Sequence, residues 1–216
     1  MLLETLESRT LMSVSPISTQ VAADRLQVKA DLLQFKSDVL SNTATILGDI
    51  TALKADGLKN DPTFVPLFKQ LHTDLQHMWT QLRNDRLAEA ANVLHDQSVI
   101  VLELRQILLN IGNPTVESAD RAQLLTDRIQ LQNDEIAGLN TRITTRQADY
   151  GTIFSDLGAI ATAITADTSA SPALLAEVQK FTVDRSNCLT TMTTDLQKLI
   201  TDRTQLVTDL TAMQNA

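Results

Sequence analysis

Residues 129–164 read "IQLQNDEIAGLNTRITTRQADYGTIFSDLGAIATAI". Within them Ile129, Ile136, Ile143, Tyr150, Leu157 and Ile164 recur every seven residues. A second row runs through Leu125, Gln132, Leu139, Arg146, Ile153 and Ile160. Two interleaved sevenfold rows specify a long helix that buries a narrow seam against its neighbours. Gln132 and Arg146 stand in the seam, as does Arg203 further on. They either set register at some cost in stability or reach solvent on long stems.

Proline marks where this helix begins, and where three others do. Ser15-Pro16, Asp61-Pro62, Asn113-Pro114 and Ser171-Pro172 each place proline directly after a good N-cap residue. The cap oxygen satisfies free backbone N–H groups, and proline is tolerated as the first helical residue. Gly57 and Gly112 stand before two of these starts, where a left-handed helix end favours glycine. The pattern predicts helices over about 16–57, 62–111, 114–167 and 172–214. At 1.5 Å per residue these span on the order of 60–80 Å each. Short connections make successive helices antiparallel neighbours. The expected fold is all-α, an elongated antiparallel four-helix up-down bundle of coiled-coil type. Residues 16–216 form a single bundle, and 1–15 form a flexible N-terminal segment.

The other helices repeat the spacing less uniformly. The last alternates Met192, Leu199, Leu206 and Met213 with Leu189, Leu196, Arg203 and Leu210. The first carries Leu32, Val39, Ile46 and Leu53 together with Leu26, Leu33, Leu40 and Leu47, a stripe wide enough to touch two neighbours. In the second, Phe68, Leu71, Leu75, Met78 and Leu82 form one face, and Leu87, Leu94, Val101 and Leu108 form another. The change of face predicts a kink or break near 83–86.

Composition agrees. The chain is 43% hydrophobic but 3% aromatic, which suits narrow seams better than a thick core. Aspartate outnumbers glutamate 19 to 7, and threonine is frequent. Both are mediocre helix formers, so packing has to hold these helices. A net charge of −8 with no basic face excludes a nucleic-acid partner. No segment approaches the roughly 20 apolar residues of a transmembrane helix.

An octamer, Asp-Arg-x-Gln-apolar-x-x-Asp, recurs at 24–31, 120–127, 127–134 and 202–209. It reads as a heptad with charged flanks; as a functional element it would be a binding rail or the trace of a duplicated hairpin. Aspartates seven apart on a helix are separated by about 10.5 Å, too far to hold one cation together.

Catalytic and metal chemistry find no constellation. His72 and His77 are five apart, and His95 is the third histidine. Ligands on one helical face need spacings of three or four. No di-iron pattern, zinc set, phosphate loop or nucleophile elbow is present. No catalytic residue, cofactor or metal is assigned. Cys188 is the one cysteine and reads as a small buried side chain. Phe64, Phe68, Met78 and Trp79 form the one aromatic cluster, either a local core or a partner-binding patch.

At the N-terminus, Glu4, Leu6, Glu7, Arg9, Leu11, Met12 and Ser13 resemble the LEPR-XLL motif of planctomycete-type proteins. Ser8 stands where that motif often has proline, and Met12 replaces its second leucine. The resemblance covers the first 13 residues and implies a sorting signal and export; the alternative is a cytoplasmic protein. The expected role is a non-enzymatic structural or protein-interaction bundle that contacts protein partners or itself. The alternative is a soluble binding module holding a small apolar ligand between its helices.

Overall fold

A computed structural model describes residues 16–55, 62–167 and 172–215. They form four helices: α1 (Pro16–Ala55), α2 (Val65–Leu109), α3 (Pro114–Ala166) and α4 (Pro172–Gln214). No strand occurs among the described residues, and the chain is an all-α four-helix bundle.

Pro16, Pro114 and Pro172 are each the first residue of their helix, as the cap–proline pairs predict. The second start differs. Pro62 opens a turn, and the helix begins three residues later at Val65. Phe64 is 2% exposed, and its carbonyl accepts the N–H of Phe68 at 3.0 Å. Seating that ring in the core fixes where the helix can begin. Ser15, Gly57, Asp61 and Ser171 lie outside the described residues. Between α2 and α3, Gly112 has φ of 97°, a left-handed value that glycine adopts without strain. The carbonyl of Asn113 then accepts the N–H of Glu117 at 2.9 Å, the first bond of α3.

Contacts divide the described residues into two compact units. Unit 1 holds 16–32, 86–140 and 197–215; unit 2 holds 33–55, 62–85, 141–167 and 172–196. Unit 1 takes the first part of α1 and α3 and the last part of α2 and α4. Unit 2 takes the complementary parts. Successive helices therefore run antiparallel within each unit.

The core of unit 2 is built on Tyr150, Ile153, Leu157, Ile160 and Ile164 of α3, packed with Leu174, Val178 and Phe181 of α4. In unit 1, Val21, Leu125, Leu206 and Leu210 form one cluster, and Ile100, Leu104, Ile107 and Leu124 another. The expected α3 rows turn inward: Ile129, Ile136 and Ile143 are half-buried, and no member of either row is exposed.

Three expectations about seams change. In unit 2, the buried residues of α4 are 174, 178, 181, 185, 188, 192 and 196, with two consecutive steps of four at the end. That extra step is a stutter, and it places Cys188 in the seam and leaves Leu189 half-buried beside it. On α2 no break occurs at 83–86. What changes there is the apolar side of an unbroken helix. Leu87 and Leu94 are 60% and 66% exposed, while Ile100, Leu104 and Ile107 enter the core. On α1, Leu26, Leu33, Leu40 and Leu47 are all exposed, and Val28, Phe35, Ile46 and Leu53 are buried. Leu26 and Val28 stand about 200° apart around a helix of 3.6 residues per turn, so packing one presents the other outward. α1 is thus apolar on two opposite sides and uses one of them.

Threonine and aspartate are accommodated locally. Threonine hydroxyls donate to the carbonyl four residues back, for example Thr182 to Val178 at 2.9 Å and Thr204 to Ile200 at 2.7 Å. Gln27, Gln123, Gln130 and Gln205 donate to the aspartate four residues on. All four octamers therefore share one Gln–Asp clasp, an i,i+4 pair that supports each helix.

Candidate functional site

Three of the four octamers converge in unit 1. Arg25 of α1, Arg128 of α3 and Arg203 of α4 line one cavity of about 320 Å³. The apolar residue three positions after each arginine, Val28, Leu131 and Leu206, lines it as well. On a helix, positions i and i+3 share a face, so the octamer presents its arginine and its apolar residue to the same space. Arg128 is 3% exposed and Arg203 7% exposed. Arg203 donates through Nη1 to Gln132 Oε1 at 2.6 Å and forms an ion pair with Glu135. Lys29 also lines the cavity and is exposed to solvent. Burial raises the Glu135 carboxyl although Arg203 pulls it down. The remaining octamer keeps Arg121 on its own helix, paired with Glu117 at 2.6 Å.

Around this cavity carboxyl groups meet in reciprocal pairs. The octamers of α1 and α4 lie antiparallel, so Asp24 faces Asp209 and Asp31 faces Asp202. Burial and the hydrogen bond to Asp31 push Asp202 up to about 6. Burial works to raise Asp31 too, but its bonds to Asp202 and Lys198 outweigh it and hold the group below the usual value. Lys198 Nζ donates to Asp31 Oδ1 at 2.6 Å. On the α2–α3 side, burial and Asp134 raise Asp96. Unit 2 has its own pair, in which burial and Asp74 raise Asp156 to about 6. A carboxyl beside a carboxylate keeps its proton because both cannot ionise at contact.

Unit 2 also buries two arginines. Arg146 donates to Met192 Sδ at 2.8 Å and stands 5.8 Å from the Phe35 ring centre. Arg185 is wholly buried against Phe181 and Tyr150. Tyr150 Oη and Cys188 Sγ are 3.0 Å apart, and burial raises the phenol to about 12. Cys188 is 3% exposed, the buried thiol that the sequence suggests. Asp49, 4% exposed, is met by Lys180.

The aromatic patch divides. Phe64 and Met78 are buried in the core of unit 2, Phe68 is half-buried against it, and Trp79 is 44% exposed. The motif residues Glu4, Leu6, Glu7, Arg9, Leu11, Met12 and Ser13 lie outside the described residues. Among the described residues no group of three or more His, Cys, Asp and Glu is placed to hold a metal ion. No described helix is long and apolar enough to cross a membrane.

The exposed leucines form two ordered stripes. On α2 in unit 1, Leu87, Leu94, Val101 and Leu108 alternate with Ala91, Ser98 and Arg105 in steps of four and three. On α1 in unit 2, Leu33, Leu40 and Leu47 alternate with Ser37, Ala44 and Thr51 in the same steps, all exposed. The outward faces of α3 and α4 are mostly threonine, glutamine, alanine, serine and asparagine, with Lys180 and Lys198 exposed on α4 and Val116 and Val183 as the exposed large apolar residues. The sequence places Leu26, Leu33, Leu40 and Leu47 in a stripe that touches two neighbours, and the structure leaves them exposed, because sevenfold spacing does not say which side of a helix packs inward. In comparison with known proteins, no family model matches this chain, and no curated protein or solved structure matches it.

Proposed function

We propose that this chain is a non-enzymatic assembly protein, a bundle that closes its own core and offers leucine stripes to a second copy of itself. The observation that carries the reading is the α2 stripe from Leu87 to Leu108, exposed throughout and spaced as a coiled-coil seam. Ala91 and Ser98 between the leucines allow another helix to approach closely. Ordered apolar stripes on α1 and α2, where the outer faces of α3 and α4 are mostly polar, favour this reading.

Charge favours a second copy in antiparallel register. The exposed charged side chains of α2 from 83 to 109 are Arg83, Arg86 and Arg105. Two α2 stripes paired about a point midway between Leu94 and Val101 set Leu87 on Leu108, Leu94 on Val101 and Arg105 on Ala90. No arginine then meets an arginine. Parallel pairing would set each arginine on its own counterpart. A two-fold, isologous contact follows. The test is light scattering over a dilution series of the full chain. The reading expects a mass that rises from one chain to two with concentration, and a constant single-chain mass overturns it.

Export is proposed on the N-terminal resemblance alone. The N-terminal residue of the protein from its native host tests it. A start near residue 14–17 in an extracytoplasmic fraction supports export, and an intact Met1 in the cytosol removes it.

A further inference from the structure

The first part of α1 has an unusual inner face. Its buried side chains in unit 1 are Val21, Asp24, Val28 and Asp31, at steps of three, four and three. Two valines and two aspartates therefore hold residues 17–32 in place. In unit 2 the same helix buries Phe35, Ile46 and Leu53, and its inward Asp49 is met by Lys180. Asp24 meets Asp209 of α4 instead, and Asp31 meets Asp202 of α4 together with Lys198. On the other flank of α1, Arg25 and Lys29 stand beside Arg128 and Glu135 of α3 and Arg203 of α4, and α2 reaches that side with Ile100.

Within the pairs the oxygens divide their work. Glutamines Gln20, Gln27 and Gln205 donate to Oδ1 of Asp24, Asp31 and Asp209. The Oδ2 atoms of Asp24, Asp31, Asp202 and Asp209 are buried and meet no donor among the described residues. Two buried acceptors that face each other without a donor need a proton on one of them.

We propose that these two pairs are a proton-operated latch on the first part of α1. With one proton in each pair, residues 17–32 stay against α4. With both carboxyls of a pair ionised, like charges meet at contact and the segment frays from its start, since Thr19, Val21 and Val28 are mediocre helix formers and two buried valines remain to hold it. Fraying uncovers Leu125, Leu206 and Leu210, which pack with Val21. Burial raises Asp24, and burial with the bond to Asp31 pushes Asp202 up to about 6. The closed segment thus holds protons between 3.8 and about 6 that the frayed one releases, and closure weakens as pH rises through 6. The latch uses no residue of the α2 stripe, so it stands or falls separately from self-assembly.

The test is amide hydrogen exchange of the full chain at pH 5 and pH 7.5, corrected for the intrinsic rate at each pH. Protection over 17–32 is expected to fall about tenfold or more between them, and at pH 7.5 to lie well below that of Ile153–Ile160 in the core of unit 2. Asp24→Asn/Asp202→Asn removes one charge from each pair and gives the facing oxygen a donor. This variant is expected to keep 17–32 as protected at pH 7.5 as wild type is at pH 5. Unchanged protection of 17–32 in wild type overturns the latch. So does a segment that exchanges as slowly as Ile153–Ile160 at pH 7.5, because it then opens only with the whole chain. A fall that persists in the double variant assigns the effect to other groups and overturns it too. Should the double variant not fold, the wild-type comparison decides.

Discussion

The guanidinium carbon of Arg185 lies 4.9 Å from the centre of the Phe181 ring, one turn back on the same helix. It also stands 5.8 Å from the Tyr150 ring. The side chain has no exposure, and none of its three guanidinium nitrogens makes a hydrogen bond among the described residues. Burial pushes its pKa down, against the pull of Tyr150. Two aromatic faces return part of the desolvation cost, on the order of 2 kcal/mol for a buried cation. Replacing a buried charge with an apolar side chain of similar size often stabilises a protein by about 1–4 kcal/mol. Arg185→Met is therefore expected to raise stability in urea by about 1 kcal/mol or more. Arg185→Ala is expected to lower it, because the vacated volume is not refilled. A less stable Arg185→Met would show that the ring contacts outweigh desolvation.

Paired carboxyls give stability a definite pH dependence. Asp202 and Asp156 are raised to about 6 from 3.8, so the folded chain takes up protons that the unfolded chain does not between those values. Their contribution is fully present below the unfolded value and is lost as pH rises through 6. Asp31 acts in the opposite sense. Its lowered pKa contributes above 3.8, and that contribution is lost as pH falls through the folded value. Melting temperature is expected to rise as pH is lowered from 7 to 5 and to fall in stronger acid. Asp202→Asn is expected to flatten the upper part of that profile. Differential scanning calorimetry across the range checks both, and a melting temperature that falls steadily from pH 7 to 5 would refute the pairing.

Glycine positions separate strain from propensity. Gly112 has φ of 97°, where a side chain is strained, and Gly112→Ala is expected to cost about 1 kcal/mol. Gly151 and Gly158 lie in exposed positions of α3, and an added Cβ at either would meet nothing within 4 Å. Alanine there is expected to stabilise by about 0.5–1 kcal/mol at each site. Chemical denaturation of the single variants gives the signs. Stabilisation by Gly112→Ala would contradict the left-handed turn.

Helix starts and direction were legible because Pro16, Pro114 and Pro172 act locally: ring and cap decide without reference to partners. Pro62 misled because Phe64 is drawn into the core, a tertiary demand that a dipeptide does not reveal. Sevenfold rows announced helices but left their rotation open. Leu26 and Val28 differ by about 200° around α1, and either side could have packed. Asp24, Asp31 and Asp49 face inward, contrary to hydropathy, with lysines of α4 meeting the last two. The octamer was visible as a repeat. Its convergence on one cavity depends on antiparallel register between helices far apart in sequence, which spacing within one helix does not carry.

The leucine stripes are spare if the core is complete without them. The triple variant L87Q/L94Q/L108Q tests this most directly, compared with wild type for both unfolding and mass in light scattering. The predicted result is stability within about 0.5 kcal/mol of wild type per substitution, or higher, with a mass that no longer rises with concentration. A loss of about 2–5 kcal/mol per site, as for buried leucine, would place these residues in the core and contradict the account.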